Sequence, residues 1–249
     1  MISIQNISKI YNKGREDEVR ALHQVNLTIQ TGEFVVVIGT NGSGKSTLLN
    51  MILGTSNSTE GSILINDTNI TSLPQHHRSQ WISMVFQNPG HGTAPDLTVL
   101  ENFRLAALRA GRKGLKIGMD EAFRRQVAEK VTSLGMGLEK KLDQLMGSLS
   151  GGQRQALTLL MGVMDRTDIL LMDEPTAALD PKSSQVVMQL ADKINKEMGI
   201  TIVLITHSMK DALSFGNRLL MFHGGEIIRD IRKEEKNNLQ LSDLQEWFS

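Results

Sequence analysis

Three features are missing from this 249-residue sequence: cysteine, an excess of charge of either sign, and any long hydrophobic run. The lack of cysteine excludes a disulfide scaffold. Lysine and arginine number 27 and are balanced by 27 acidic residues, so the overall basic charge typical of nucleic-acid binding is absent. The longest apolar runs, such as "FVVVI" and "IVLI", are far shorter than the roughly 20 residues that span a bilayer. We expect a soluble, cytoplasmic protein that reaches a membrane only through a partner.

Apolar residues follow two periodicities along the chain. They alternate in "ISIQNISKIY" and "LHQVNLTI", which predicts two strands joined by the polar stretch "NKGREDEV". "FVVVI", "DILLMD" and "ITIVLITH" are continuous apolar runs of the kind found in buried parallel strands, and "SSQVVMQLADKINKEMG" has helical spacing. This pattern predicts an α/β core with a mixed sheet and an N-terminal antiparallel part.

The middle of the chain has helical spacing only. "VLENFRLAALRA", "DEAFRRQVAEKVTSLG" and "QRQALTLLMGVM" repeat apolar residues every three to four positions. We therefore predict an α/β core formed by residues 1–87 and 165–231, with an inserted helical subdomain at 88–164. The charged tail at 232–249 contains "LQLSDLQEWF", which predicts a short helix packed on the core.

The stretch "GTNGSGKST" at residues 39–47 has the spacing of a phosphate-binding loop. It follows a buried strand and opens a helix, so its backbone amides and the helix N-terminus can surround a phosphate. Lys45 would reach the β- and γ-phosphates, and the Ser46 hydroxyl would ligate Mg²⁺. The predicted nucleotide-binding residues of this loop are Gly39, Asn41, Gly42, Ser43, Gly44, Lys45, Ser46 and Thr47.

The acidic pair in "ILLMDEP" ends another buried strand. Asp173 would hold Mg²⁺ directly or through water, and Glu174 would orient or deprotonate an attacking water. These residues together predict a P-loop nucleoside triphosphatase that uses Mg²⁺, a class that serves many reactions.

A second glycine run, "LSGGQ" at residues 149–153, begins the helix "QRQALTLLMGVM". Ser150, Gly151 and Gly152 would present a hydroxyl and backbone N–H groups to an anion. A single chain thus contains two candidate phosphate sites.

The order of these motifs resembles the ATPase subunit of ATP-binding cassette (ABC) transporters. The phosphate loop, "VFQNP", "LSGGQ", "LLMDEP", "AALD" and "ITH" occur in the family's order, and the resemblance extends from Tyr11 to about Asp230. It implies that two copies of the chain form a homodimer around two ATP molecules, each site combining Lys45 of one copy with Ser150 of the other. It also implies an integral membrane permease as partner, at the cytoplasmic face of the membrane.

The resemblance implies further roles for individual residues. Gln87 would sense Mg²⁺ and the γ-phosphate, and His207 would contact the γ-phosphate, although a core histidine is the ordinary alternative at a strand end. Tyr11 would stack on adenine, although a packing role is the alternative. Asp180 would lie on a loop that crosses to the other subunit, and Gln153 completes the set at the second glycine run. Because both Glu174 and His207 are present, we expect an active ATPase.

A narrower resemblance is to cassette ATPases that accompany a substrate-binding protein and a small permease, a group associated with uptake of aromatic amino acids and other small solutes. Efflux or lipoprotein-release ATPases are the first alternative. Soluble cassette ATPases of DNA repair, translation or iron–sulphur assembly are the second. Repair forms carry a long coiled coil, and translation forms usually have two cassettes and basic linkers; the sequence shows neither. We also expect the segment "NPGHGTAPDLTVLEN" to lie against the permease, with Leu97 and Val99 exposed.

Overall fold

The computed structural model describes residues 1–108, 119–165 and 167–248. The chain forms two compact units, one of residues 1–78 and 194–249 and the other of residues 79–193. These bounds differ from the predicted domains, which were drawn from motifs and periodicity and stay a prediction.

The strands are given first, in chain order. They are β1 (Ile2–Tyr11), β2 (Val19–Ile29), β3 (Phe34–Gly39), β4 (Glu60–Ile65), β5 (Thr68–Asn69), β6 (Ile82–Val85), β7 (Ile169–Asp173), β8 (Thr201–Ile205), β9 (Arg218–His223) and β10 (Glu226–Arg232).

The α-helices follow in the same order. They are α1 (Lys45–Leu53), α2 (Gln75–Arg78), α3 (Val99–Ala107), α4 (Glu121–Thr132), α5 (Gly151–Gly162), α6 (Pro181–Met198), α7 (Met209–Ser214), α8 (Lys233–Lys236) and α9 (Leu241–Glu246). Short 3₁₀ turns lie at Leu138–Lys141 and Met146–Ser148.

The first unit contains the predicted antiparallel part. Its strands lie in the order β2-β1-β4-β5, and Ile2 pairs with Ile29 on one side and with Ile65 on the other. These three isoleucines are at most 1% exposed. The alternation seen in the sequence therefore marks the face of this sheet that packs on the interior.

The same unit contains the parallel strands that support the phosphate loop. Strand β3 pairs in parallel with β8 and with β9, while β10 runs antiparallel to β9. All six residues of β3 are buried, as expected for a central strand that reads as a continuous apolar run. Because β3 is hydrogen-bonded to a neighbouring strand on each edge, the position of its carboxyl end, where the phosphate loop begins, is fixed.

The second unit combines a parallel strand pair with the helical region. Strands β6 and β7 are aligned from Ile82 opposite Ile169 to Val85 opposite Met172. Among the described residues from 98 to 164, the extended pairing is an isolated bridge between Thr98 and Leu145, in agreement with the predicted helical character. The end of the predicted helix "VLENFRLAALRA" lies outside the described residues.

The mixed α/β fold class is confirmed, with some elements that periodicity did not reveal. Strands β4, β6, β9 and β10 were not predicted, whereas the short tail helix is present as α9. In the part of the chain that the structure describes, no helix has both the length and the apolar character needed to cross a membrane.

Candidate functional site

Residues 39–47 form a tight turn between β3 and α1, here called the phosphate loop. Gly39 and Gly44 have φ angles of 151° and 102°, a region that L side chains rarely adopt. A Cβ at Gly39 would lie 2.3 Å from the Phe222 carbonyl oxygen, and one at Gly44 would lie 2.5 Å from that of Ala21. Both glycines are therefore required by backbone conformation and by close backbone approach.

The loop closes around the Lys45 side chain. The lysine is 5% exposed, and its Nζ donates to the carbonyl oxygens of Gly39 and Thr40 at 2.9 and 2.8 Å. Ser43 is 3% exposed, and its hydroxyl has no hydrogen-bond partner among the described residues. A buried hydroxyl, a lysine and the N-terminus of a nine-residue helix within one loop fit the phosphate groups of a nucleotide.

His207 lies close to this loop, on the turn between β8 and α7. It shares a cavity of about 360 Å³ with Gly39, Thr40, Asn41 and Phe248. The turn is fixed locally, since Ser208 N donates to the Thr206 hydroxyl at 3.0 Å and the Ser208 side chain caps α7. The first unit thus places the predicted histidine beside the predicted loop.

Tyr11 ends β1 and is 38% exposed. It pairs with Val19, itself 56% exposed, and the Lys9 ammonium lies 4.8 Å from the centre of its ring. The ring therefore has a cation on one side and retains exposed surface, which is compatible with stacking on a flat ligand.

The second unit contains the other glycine run, residues 149–153, here called the signature run. Ser150 is the N-cap of α5 and forms a capping box with Gln153, each side chain bonding to the other's backbone N–H at 3.3 Å. Ser150 and Gly151 are exposed, while Gly152 is buried. The helix start is thus stabilised from within and displays Ser150 on the surface.

Gly152 packs closely against α6, and Asp180 caps the start of α6. A Cβ at Gly152 would lie 2.3 Å from the Ser183 hydroxyl, so only glycine allows this approach. The Asp180 carboxylate accepts from the backbone N–H groups of Lys182 and Ser183, both at 3.0 Å, at the start of α6. Hydrogen bonds from Ser183 lower the pKa of Asp180. Asp180 therefore has a structural role at a helix start that the resemblance did not include.

Asp173 is the last residue of β7 and Glu174 follows it directly, and both are half-buried. Glu174 has a φ of 47°, in the left-handed region that a residue of this type seldom occupies. Such conformations cost free energy and concentrate at functional positions. The residues around Glu174 in the sequence do not predict this left-handed conformation.

Gln155, on α5, is a residue that the sequence reasoning missed. It is fully buried, and its Nε2 donates to the carbonyl oxygens of Phe86 and Pro175 at 2.8 and 2.9 Å. Phe86 precedes Gln87 and Pro175 follows Glu174, so one amide joins α5, here called the signature helix, to the backbone beside two predicted site residues. Because the partners are 69 and 20 residues away in sequence, spacing alone does not reveal them.

An apolar groove of about 690 Å³ lies beside the segment that follows Gln87. Met84, Leu105, Leu108 and Met161 contribute to its walls, and Leu105 is 52% exposed. Buried Asn102 holds the segment in place through bonds to Ala94 N and O and to Thr98 O. Val99 is fully buried, so the expectation that it is exposed was wrong.

The same segment is hydrogen-bonded to the residues that lead into the signature run. Met146 N donates to Leu97 O at 2.8 Å, and Gly147 N donates to Pro95 O at 2.9 Å. Backbone hydrogen bonds therefore join the segment beside the groove to the residues that directly precede the signature run.

The fold and the phosphate loop define a P-loop nucleoside triphosphatase. Residues 22–177 match the family described as ABC transporter, and the chain belongs to this family as an ATP-hydrolysing cassette. It is 40% identical to a tyrosine transport ATP-binding protein of Clostridioides difficile, over 100% of this chain and 98% of that protein.

Two other relatives place the chain more widely in the family. It is 34% identical to a phosphonates import ATP-binding protein of Lactococcus lactis, over 94% of each chain. The dimeric post-hydrolysis structure of the cassette MJ0796 bound to ADP and Pi is 34% identical, with a TM-score of 0.80, and the match covers 94% of this chain and 99% of that one. Cassettes of this kind dimerise and work with membrane permeases.

Proposed function

We propose that this chain is the ATPase subunit of an importer for a small solute of the aromatic amino acid type. The relative named for tyrosine transport matches it over its full length, and another relative is named for import. We propose that it acts at the cytoplasmic face of the membrane with a permease and an extracytoplasmic substrate-binding protein. Import predicts that deletion of the chain abolishes uptake of labelled tyrosine by cells; faster loss of preloaded tyrosine from wild-type cells than from deleted cells would instead indicate export.

The observation that carries the proposed ATPase site is the phosphate loop. Its glycines allow neighbouring backbone to come close to the loop. The Lys45 ammonium and the buried Ser43 hydroxyl are polar groups of this loop that could bind phosphate oxygens. In this proposal Lys45 and the loop amides bind the β- and γ-phosphates, Tyr11 contacts adenine, and His207 contacts the γ-phosphate.

The proposed metal ligands are Ser46, Asp173 and Gln87, with oxygen donors of the kind Mg²⁺ prefers. Mg²⁺, when bound, neutralises charge on the phosphate oxygens. Glu174 would accept the proton of the attacking water. Its left-handed backbone conformation supports this role, because strained conformations concentrate at functional positions.

The test of the catalytic assignment is Glu174→Gln, which keeps the size of the side chain and removes its basicity. We expect unchanged ATP affinity and hydrolysis slowed by roughly two orders of magnitude or more. The variant should accumulate as a dimer on size-exclusion chromatography with ATP and Mg²⁺. Near-normal turnover would contradict the role given to Glu174.

We further propose that the apolar groove receives a cytoplasmic helix of the permease. Its exposed Leu105 and apolar walls suit an apolar helix face, and Asn102 keeps the adjoining segment ordered. The hydrogen bonds that Met146 N and Gly147 N donate to Leu97 O and Pro95 O support transmission of movement to the signature run.

The absence of cysteine allows a direct test. Asp96→Cys, on the exposed part of the segment, should form a crosslink with a single cysteine in a permease cytoplasmic loop in membranes. Asp96 is preferable to Thr98, whose side chain is part of the capping box of α3. Glu129→Cys, exposed on α4, is the control. Equal crosslinking of both variants, or none across the segment, would contradict this docking site.

A further inference from the structure

The environment of Gln155 carries an inference about how the signature helix communicates with the catalytic residues. Gln155 is 0% exposed on a helix whose other buried members are mostly apolar. Burying an amide is unfavourable unless its hydrogen-bonding groups are used. The side chain uses both hydrogens of its Nε2 on two backbone carbonyls, at 2.8 and 2.9 Å.

The two acceptors identify what this amide holds. Phe86 O belongs to the residue before Gln87, and Pro175 O belongs to the residue after Glu174. Gln155 itself is one turn into the helix that begins at Ser150. A single NH₂ group therefore connects the first turns of α5 to the backbone beside Gln87 and to the backbone beside Glu174. A primary amide is suited to this because one nitrogen supplies two donors.

The other end of the amide is also informative. Gln155 Oε1 is buried and accepts no hydrogen bond within the described parts of the chain. A buried acceptor left in this way costs free energy, so the residue is not optimised for stability alone. Such a cost in stability is expected where the NH₂ end of the amide serves function by fixing the position of nearby backbone.

We propose that Gln155 is a positioning residue that fixes the backbone on either side of the site to the signature helix. Through it, a displacement of the N-terminus of α5 alters the placement of both Gln87 and Glu174. This inference rests on the proposed roles of these two residues and adds a physical link between them. Gln155 itself touches neither nucleotide nor water in this scheme.

The experiment compares Gln155→Met with Gln155→Glu in the full-length protein. Methionine keeps the length and loses both donors, and we expect kcat for ATP hydrolysis to fall about tenfold, equivalent to roughly 1.4 kcal/mol, with KM nearly unchanged. Glutamate has almost the shape of glutamine but turns acceptor oxygens toward the two carbonyls, so we expect a larger fall. If only shape mattered, glutamate would be the milder change.

Thr167→Val is the matched control. Thr167 is 8% exposed, and its hydroxyl donates at 2.8 Å to the buried carbonyl of Gly162, the last residue of α5, at the opposite end of that helix from Ser150. Valine keeps the shape and removes the donor. We expect lower thermal stability with kcat within twofold of the wild type, since a buried hydrogen bond is lost without a change beside Gln87 or Glu174.

The outcomes separate this inference from the proposed function. If Glu174→Gln abolishes hydrolysis while Gln155→Met keeps a normal kcat, the positioning role is overturned and the catalytic assignment stands. A rise in KM with unchanged kcat, or a milder effect for glutamate than for methionine, also overturns it. If Glu174→Gln hydrolyses ATP normally, the proposed function is the part that fails. Should Gln155→Glu not fold, the kcat and KM of Gln155→Met still decide the question.

Discussion

The two glycine runs of this chain begin helices in opposite ways. In the phosphate loop, α1 is preceded by Gly44 with a left-handed backbone, and a glycine has no side chain with which to cap the helix. In the signature run, α5 is capped reciprocally by Ser150 and Gln153. Lys45 points back into its own loop, whereas Ser150 is displayed on the surface.

This difference indicates how each glycine run can bind an anion. The phosphate loop curls around its own lysine, whose Nζ bonds to two loop carbonyl oxygens, so the loop has a cation in place for a phosphate bound within its own subunit. The signature run has its first amides partly satisfied by its own cap, so it holds its shape while presenting a surface to another molecule. The comparison therefore favours a phosphate brought by a partner subunit at the signature run.

The largest expected effect comes from tethered dimers. One dimer pairs a Lys45→Ala subunit with a Gly151→Asp subunit, and the other pairs a wild-type subunit with one that carries both changes. If the two runs act across the interface, the first dimer keeps one intact composite site and the second keeps none. We expect more ATP occluded and hydrolysed by the first dimer.

The opposite ranking would show that both glycine runs serve the same subunit's nucleotide. Comparison of the two dimers controls for cooperativity between sites, because each carries the same two changes in total. Measurement of occluded ATP together with the hydrolysis rate separates nucleotide binding from turnover.

An intermediate effect should come from adding one methyl group to either run. Gly44→Ala forces a Cβ to within 2.5 Å of Ala21 O at a φ of 102°, so we expect a loss of stability on the order of 3 kcal/mol. Gly151→Ala meets Leu179 at an ordinary 3.4 Å in a helix. We expect its stability to be unchanged or higher by roughly 0.5 kcal/mol.

Thermal unfolding of the two variants checks this contrast, and ATPase activity refines it. We expect Gly151→Ala to fold normally and to hydrolyse ATP more slowly, because its methyl group lies on the exposed face offered to the partner. Equal stability of the two variants would contradict the view that only the phosphate loop depends on glycine for its backbone path.

The smallest of the expected losses of stability is at the cap of α5. Ser150→Ala removes the acceptor for Gln153 N and should lower stability by about 1 kcal/mol. Ser150→Asp keeps a capping oxygen but places a negative charge where a phosphate would approach. We expect the aspartate variant to retain its melting temperature and to lose ATPase activity, whereas a fully active aspartate variant would argue against an anion at this helix.

Much of this arrangement could be predicted because it is encoded locally. The alternation in β1 and β2, the buried run of β3 and the spacing of the phosphate loop each depend on residues that are neighbours in sequence. The cap of α5 is also local, since Ser150 and Gln153 are three residues apart. Strand β10 was missed because charged residues interrupt its apolar pattern, and β9 was missed because its apolar run "LLMF" is short.

The sequence by itself determined the family, the two glycine runs and the residues expected to serve ATP, since periodicity, capping and motif order act over short distances. Only the tertiary structure decided that Gln155 bonds to Phe86 and Pro175 and that Phe248 shares a cavity with His207. It also decided the left-handed backbone of Glu174. The hydrogen bonds and the cavity join residues that are far apart in the chain, so local preference does not set them. The strained backbone of Glu174 persists only because the surrounding structure holds it.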